Sequence, residues 1–521
     1  MIPSNIANSP FSRRGFLGLA GGLGAALALS SCGTGTSASA GGGATGTSTV
    51  ILPSTAPTSW NAVLSKVNSK LKADAGFELD AQFIIWSNYQ QQSLLKFTAG
   101  ESFDTALQAQ WLNMAQLQQS GSLADLTNEI ANYPNLKATL PAKLIESNSW
   151  DGHLWGIPQV NSAARLQHFS IRQDIAEKLG FAEITDYEQL ERFFYAVKQK
   201  NDGTVAYGAA SNSGYLHAVP VPTGMFNTAS WDSPDTIARA FSGKGLFFIL
   251  DKDAQKSGSS RPIPFWENDG VIDALRRIRK YQEDGIINAD ALNSDNATIK
   301  SQFSAGKFAA AWAMTDGISS NTLPALTKAV PGAALANVMP LKGGLSAKPN
   351  QTFQADNFVV VNSKGGNLER ALKLQDWLSV KENHDLVTYG IEGTDWEPAD
   401  GNKFKQISDY AFPGYALSWR GSLERKSANM SASEEKIFDW AQNFDNFTVD
   451  PFASFIPDAT PVKQQIAAMA NVITQFANPL FYGVVDVDSQ LDKLKKAADG
   501  AGLSQLQAEM EKQANAHLKK A

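Results

Sequence analysis

The sequence predicts an α/β protein built as two lobes. Three observations predict it. The chain has 521 residues, too many for one ordinary core of roughly 100–200. Its hydrophobic share of 43% suffices for buried cores. From residue 49 onward, strand and helix periodicities alternate with short connections. Thr49 to Leu52 is a short strand, and Trp60, Val63, Leu64, Val67 and Leu71 form a helical stripe. Phe77, Leu79, Ala81, Phe83 and Ile85 then alternate with the period of a strand. Leu94, Leu95 and Phe97 mark a second helix, which Gly100 ends before a third strand near Phe103 to Leu107. Strand-helix-strand-helix-strand with right-handed crossovers makes a parallel sheet. Asp151-Gly152 signals a turn ahead of a strand from His153 to Val160. Further on, Ala274, Leu275, Ile278 and Tyr281 mark a helix ended by Gly285, and Asn357 to Asn362 read as a buried strand. Val462, Ile466, Met469, Ile473 and Phe476 mark a helix opened by Thr460-Pro461, with proline at its first position. Leu503, Leu506, Met510, Ala514 and Leu518 form the last amphipathic stripe.

Residues 1–31 read as an address. Arg13-Arg14 precedes an apolar run, Leu17 to Leu29, that is too short for a membrane span of about 20 residues but suits a signal peptide. The pattern resembles a twin-arginine export signal. Leu29-Ser30-Ser31-Cys32-Gly33 resembles a lipoprotein cleavage box, which makes Cys32 the expected lipidation site and mature N-terminus. A diacylglyceryl-cysteine supplies enough acyl chain for stable anchoring. Gly, Ser, Thr and Ala alone fill residues 33–48, so 32–48 is expected to be a lipid-anchored flexible linker with a reach on the order of 20–25 Å. The expected location is the outer face of the cell membrane.

Charge and motif content exclude several functions. Loss of Arg13 and Arg14 with the leader moves the formal charge from −6 to −8, the wrong sign for a nucleic-acid partner. One cysteine permits neither an internal disulfide nor a cysteine-based zinc cluster. The histidines at 153, 168, 217, 384 and 517 show no metal-binding spacing. Residues 209–214 lack the first glycine of a nucleophile elbow, and no phosphate-binding loop occurs in the mature chain. The reading is therefore a binding protein with no catalytic residues, metal or cofactor. Carboxylate pairs that cleave glycosides are defined by spacing in three dimensions, so a surface glycan hydrolase stands as the alternative.

Several local patterns carry a family resemblance. Lys96 to Asp104 resembles a helix end, ASGxxxD, that precedes the third strand in the extracellular solute-binding proteins of ABC sugar importers. Gly156-Ile157-Pro158-Gln159 resembles the family's first crossing between lobes, and Phe303 to Ala310 the helix and strand leading to the second. Tyr389-Gly390-Ile391-Glu392-Gly393 resembles an element of a larger-bodied subgroup that includes alginate-binding and LipO-like lipoproteins. The resemblance implies a two-lobe type II periplasmic-binding-protein fold with a hinge and an interlobe cleft. It implies an N-terminal lobe of 49–158 with 317–375 and a C-terminal lobe of 160–312 with 390–521, crossed near 158–160, 312–317 and 375–390. It also implies ABC permease subunits as partners and a monomeric receptor. The subgroup's calcium loop corresponds to Lys200 to Gly208, which has too few oxygen-bearing side chains for six to eight ligands and reads as a plain turn.

Sugar rings present flat C–H faces and a hydroxyl rim, so a carbohydrate site needs aromatic platforms and planar polar groups. Twelve tryptophans make an oligosaccharide the expected ligand, with a peptide or other non-sugar solute as the alternative for the same fold. Gln110 and Trp111 follow the third strand, where α/β sheets bind ligands. Trp312 and Asp316 sit at the second crossing, Asn161 and Arg165 just after the first. Trp396 follows the Tyr389 element, and Trp419 and Arg420 lie in the loop opened by Pro413-Gly414-Tyr415. Trp266 and Asn357 complete the expected ligand-binding set. Trp60, Trp377 and Trp440 lie on helical stripes and are expected in cores. Asp104 is expected to pin the turn before the third strand.

Overall fold

A computed structural model describes residues 45–164, 167–210, 236–241, 245–251, 253–314, 319–341 and 344–519. Cys32, Arg165 and Asp316 lie outside the described residues. Two mixed sheets organise the chain. The first runs, in spatial order, Phe77–Ile84, Gly46–Pro53, Thr105–Gln108, Asn357–Val361 and Ile157–Gln159. Its first three strands are parallel, as their crossover helices Trp60–Ala75 and Trp86–Ala99 require. Asn357–Val361 is antiparallel to both of its neighbours. The wholly parallel sheet expected from the first half is thus completed by a strand that returns from far along the chain.

Local chemistry accounts for these elements. The helix Trp60–Ala75 buries Trp60, Val63, Val67 and Leu71 of the stripe read from the sequence, with Leu64 partly buried. Trp86–Ala99 ends where Gly100 takes a φ of 68°, a left-handed turn that costs glycine little. Asp104, 1% exposed, holds Arg370 by two bonds of 2.6 and 2.8 Å and also accepts from Ser48 and the Asn367 backbone N–H. It therefore ties the third strand to the helix Leu368–Trp377, the structural part expected of it. The linker expectation needs trimming, because Gly46 to Ser48 already pair with Phe77 to Leu79. The strand expected over His153–Val160 shortens to Ile157–Gln159, His153 being spent in a turn with Trp150.

The second sheet runs Leu335–Val338, Gln167–Arg172, Phe308–Met314 and Val205–Gly208. Here one expectation fails. The return toward the first sheet was placed at 312–317, yet Leu335–Val338 pairs antiparallel with Gln167–Arg172. Two large hydrophobic cores go with the two sheets, and a smaller cluster around Phe303, Phe308 and Leu326 also packs on the second sheet. The first gathers Val50, Leu107, Phe358, Leu372, Trp377 and Leu417; the second gathers Phe169, Phe194, Phe265, Leu275, Trp440 and Met510. Leu417 in the first core is a further correction, since 390–521 was expected wholly in the other lobe. Trp60 and Trp377 at 6% exposure and Trp440 at 9% are core residues, as their helical positions predicted. The helix Asp269–Glu283 buries its predicted stripe, and the final helix Leu503–Leu518 buries Leu506, Met510 and Ala514 while Leu503 and Leu518 stay partly exposed. Thr460-Pro461 opens a 3₁₀ turn ahead of Lys463–Val472, and the stripe continues through a π-helical segment, Ile473–Ala477.

Candidate functional site

The carboxyl ends of the parallel strands in the first sheet fall on one edge, at Pro53, Ile84, Gln108 and Gln159. Asn357 begins its antiparallel strand on that same edge, and beyond Gln159 the chain passes to the second sheet at Gln167. The edge therefore faces the passage between the two sheets, the place where α/β sheets hold ligands.

Four aromatic rings occupy it. Trp86 follows the second strand, Trp111 follows the third, and Tyr415 and Trp419 come from the loop after Pro413. Ring centroids are 5.9 Å apart for Trp111–Trp86, 6.0 Å for Trp86–Tyr415 and 6.0 Å for Tyr415–Trp419. Trp86 and Trp111 remain 42% and 54% exposed, unusual for indoles and a mark of a functional surface. Both are nonetheless fixed. Trp111 Nε1–H donates to the Asp356 carbonyl at 2.9 Å, and Trp86 Nε1–H donates to Tyr415 Oη at 3.0 Å. Tyr415 in turn donates to the Pro53 carbonyl at 2.8 Å. Burial holds the Tyr415 phenol above its ordinary pKa, so it keeps the proton it donates. Gly414 makes the last ring possible: a Cβ there would lie 2.9 Å from Trp419 Cδ1.

The expected site residues divide sharply. Trp111 and Trp419 belong to the row, and Gln110, partly buried beside Trp111, has a buried side-chain amide nitrogen with no hydrogen-bond partner among the described residues. Asn161 and Asn357 lie at the same edge but are 5% and 6% exposed, and the Asn161 carbonyl accepts from Gln442. Trp312, on the second sheet, is half-buried and lines a small recess with Tyr207, Asn296, Lys300 and Thr322. Three expectations are corrected by burial. Trp266 is 6% exposed and packs edge-on to Phe265 inside the second core. Trp396 is 2% exposed, its N–H bonded to the Gly390 carbonyl and the Arg425 guanidinium 4.9 Å above its ring. Neither has a face to offer a ligand.

Arg420 is the third. It is 1% exposed and spends its donors on Ser379 Oγ, Gln159 Oε1, Gln375 Oε1 and the Trp419 carbonyl. Burial lowers its pKa to about 10, leaving it charged at neutral pH. Beneath it lies an ionic cluster. His384 bridges Asp385 at 3.3 Å and Glu424 at 3.1 Å, and Asp385 also accepts from Lys381 and Arg425. Tyr389 donates to Glu424, so the Tyr389 element serves this cluster and not the open edge.

Sequence reasoning missed Trp86 and Tyr415. Trp86 had a usable signal, since it follows a period-two strand just as Trp111 follows the next one. Tyr415 had none beyond its place in the Trp419 loop.

Two sheets on separate cores, with an aromatic edge at the passage between them, define the two-lobe solute-binding class, and comparison with known proteins agrees. The crystal structure of the N-glycan transport solute-binding protein NgtS of Streptococcus pneumoniae superimposes with a TM-score of 0.73 at 20% identity, over 91% of this chain and 99% of that one. Its complex with Man5GlcNAc superimposes at 0.66 with 21% identity, covering 91% and 99%. The bacterial extracellular solute-binding protein family matches residues 66–387, and this chain belongs to it. Residues 451–519 match a domain of unknown function. A carbohydrate ABC transporter substrate-binding protein of S. pneumoniae serotype 4 is 24% identical over 471 residues, 89% of each chain.

Proposed function

We propose that the protein is the substrate-binding lipoprotein of an ABC importer, that it captures an oligosaccharide between its lobes, and that it delivers the sugar unaltered to a permease. The observation that carries this reading is the row Trp111, Trp86, Tyr415 and Trp419 on the edge where the chain leaves the first sheet. Indole and phenol faces match the C–H faces of successive pyranose rings. Relatives that serve carbohydrate ABC transport and N-glycan transport point the same way. We assign one lobe to residues 46–159 with 357–417 and the other to 167–338 with 432–519, following the strand partners. Cys32 is the proposed acyl anchor, and no residue is assigned a catalytic part.

Calorimetry against an oligosaccharide panel that includes Man5GlcNAc, with chromatography of the recovered sugar, tests the proposal. The expected result is micromolar binding, about −8 kcal/mol, with the sugar intact. A panel without a binder refutes the carbohydrate assignment, and cleavage products make the protein a hydrolase. Cys32→Ser is expected to move the protein from the membrane fraction to the soluble fraction.

A further inference from the structure

An indole N–H lies in the plane of its ring. When it donates to a phenol whose ring is nearly parallel, the hydrogen bond fixes the tilt of one ring against the other. Trp86 and Tyr415 satisfy both conditions, with the 3.0 Å hydrogen bond and an interplanar angle of 17°. Trp111 continues beside Trp86 with a tilt of 32°. The result is a shelf of three rings whose donors are all taken: Trp111 Nε1–H by the Asp356 carbonyl, Trp86 Nε1–H by Tyr415 Oη, and the Tyr415 hydroxyl by the Pro53 carbonyl.

We infer that Tyr415 is a positioning residue whose hydroxyl, accepting from Trp86 and donating to the Pro53 carbonyl, fixes the angle of the Trp86 indole and so sets the plane on which a ligand stacks. The inference rests on the carbohydrate reading of this edge. Residues 415 and 86 lie 329 positions apart in sequence. A loop from late in the chain thus fastens a ring carried by the second helix to the end of the first strand. With the bond in place Trp86 is held although 42% of it is exposed, and little freedom remains to be lost on binding. The shelf presents no free indole or phenol donor of its own. Its selectivity is therefore for flat apolar ring faces in succession, and hydroxyl recognition must come from groups outside the three rings.

Tyr415→Phe keeps the ring and removes both bonds. Man5GlcNAc affinity is expected to fall about fivefold, the size of one net hydrogen bond. The Trp86 indole N–H resonance, assigned through Trp86→Phe, is expected to move upfield and exchange faster in the sugar-free protein. Trp86→Phe is expected to give a similar loss of affinity, and the double variant no more than either alone, the mark of one shared interaction. An unchanged Trp86 resonance in Tyr415→Phe, or additive losses in the double variant, overturns the positioning role. The resonance needs no ligand, so failure of the parent protein to bind Man5GlcNAc counts against the carbohydrate reading alone and leaves this test intact.

Discussion

Residues 413–425 cross two environments within a dozen positions. Tyr415 and Trp419 contribute to the aromatic row at the open edge, whereas Arg420, Glu424 and Arg425 turn into a sealed polar interior. One peptide bond, Trp419–Arg420, separates them, and the Arg420 guanidinium donates back to the Trp419 carbonyl at 2.6 Å. The contrast shows how a rigid platform is made on a loop. The half at the edge is held by its own bonds, Tyr415 to Trp86 and Pro53, and the buried half anchors the chain directly behind it. Changing the buried half should cost stability first and affinity second; changing the exposed half should do the reverse.

The largest expected effect is on the buried side. Arg420→Ala leaves Gln159, Gln375 and the Trp419 carbonyl without their donor in a dry site, and a loss of about 3 kcal/mol in unfolding free energy is expected in urea titration. Had Arg420 been a ligand contact, the same substitution would lower affinity and leave the urea midpoint nearly unmoved. Trp111→Ala is the mirror case. Its stacking surface is worth about 1.5 kcal/mol, so oligosaccharide affinity should fall about tenfold with little change in melting temperature. An unchanged dissociation constant would remove Trp111 from the site. Gly414→Ala sharpens the comparison from the middle, because the new methyl group meets the Trp419 indole and must displace it. Calorimetry is expected to show an affinity loss smaller than that of Trp111→Ala.

Much of this was legible in the residues. Hydrophobic period placed the first three strands and both crossover helices, and the carboxyl-edge rule placed Trp111. The errors share a cause. Trp396 opens a four-residue strand, Trp396–Ala399, just after a glycine-containing turn, and Arg420 stands in a loop; neither segment is long enough for one-dimensional pattern to carry burial information. What buries them is contact between distant segments: Gln159 and Gln375 lie 261 and 45 positions from Arg420. The late passage out of the second sheet was missed for the same reason. Leu335–Val338 reads as a strand of either sheet until its partner is known.

The smallest effect concerns protons in the buried half. Burial alone would push the His384 imidazole down, but the Glu424 and Asp385 carboxylates outweigh it and hold its pKa above the usual value. A folded-state pKa raised above about 6.5 gives stability that is complete below that pH and is lost as pH rises through the folded value. Asp385 has the opposite sign. Burial would raise it, yet hydrogen bonds from His384, Arg425 and Lys381 hold it low, so its contribution exists above about pH 4 and disappears as pH falls. Burial pulls Lys381 down, against the same Asp385, which holds it up. This cluster is therefore most stabilising between about pH 4 and 6.5. His384→Gln should lower the urea midpoint most at pH 6, and the gap from the parent should narrow steadily toward pH 9. A gap independent of pH would mean that the imidazole sits neutral between its two carboxylates, and that Arg425 and Lys381 alone balance the charge beneath the aromatic row.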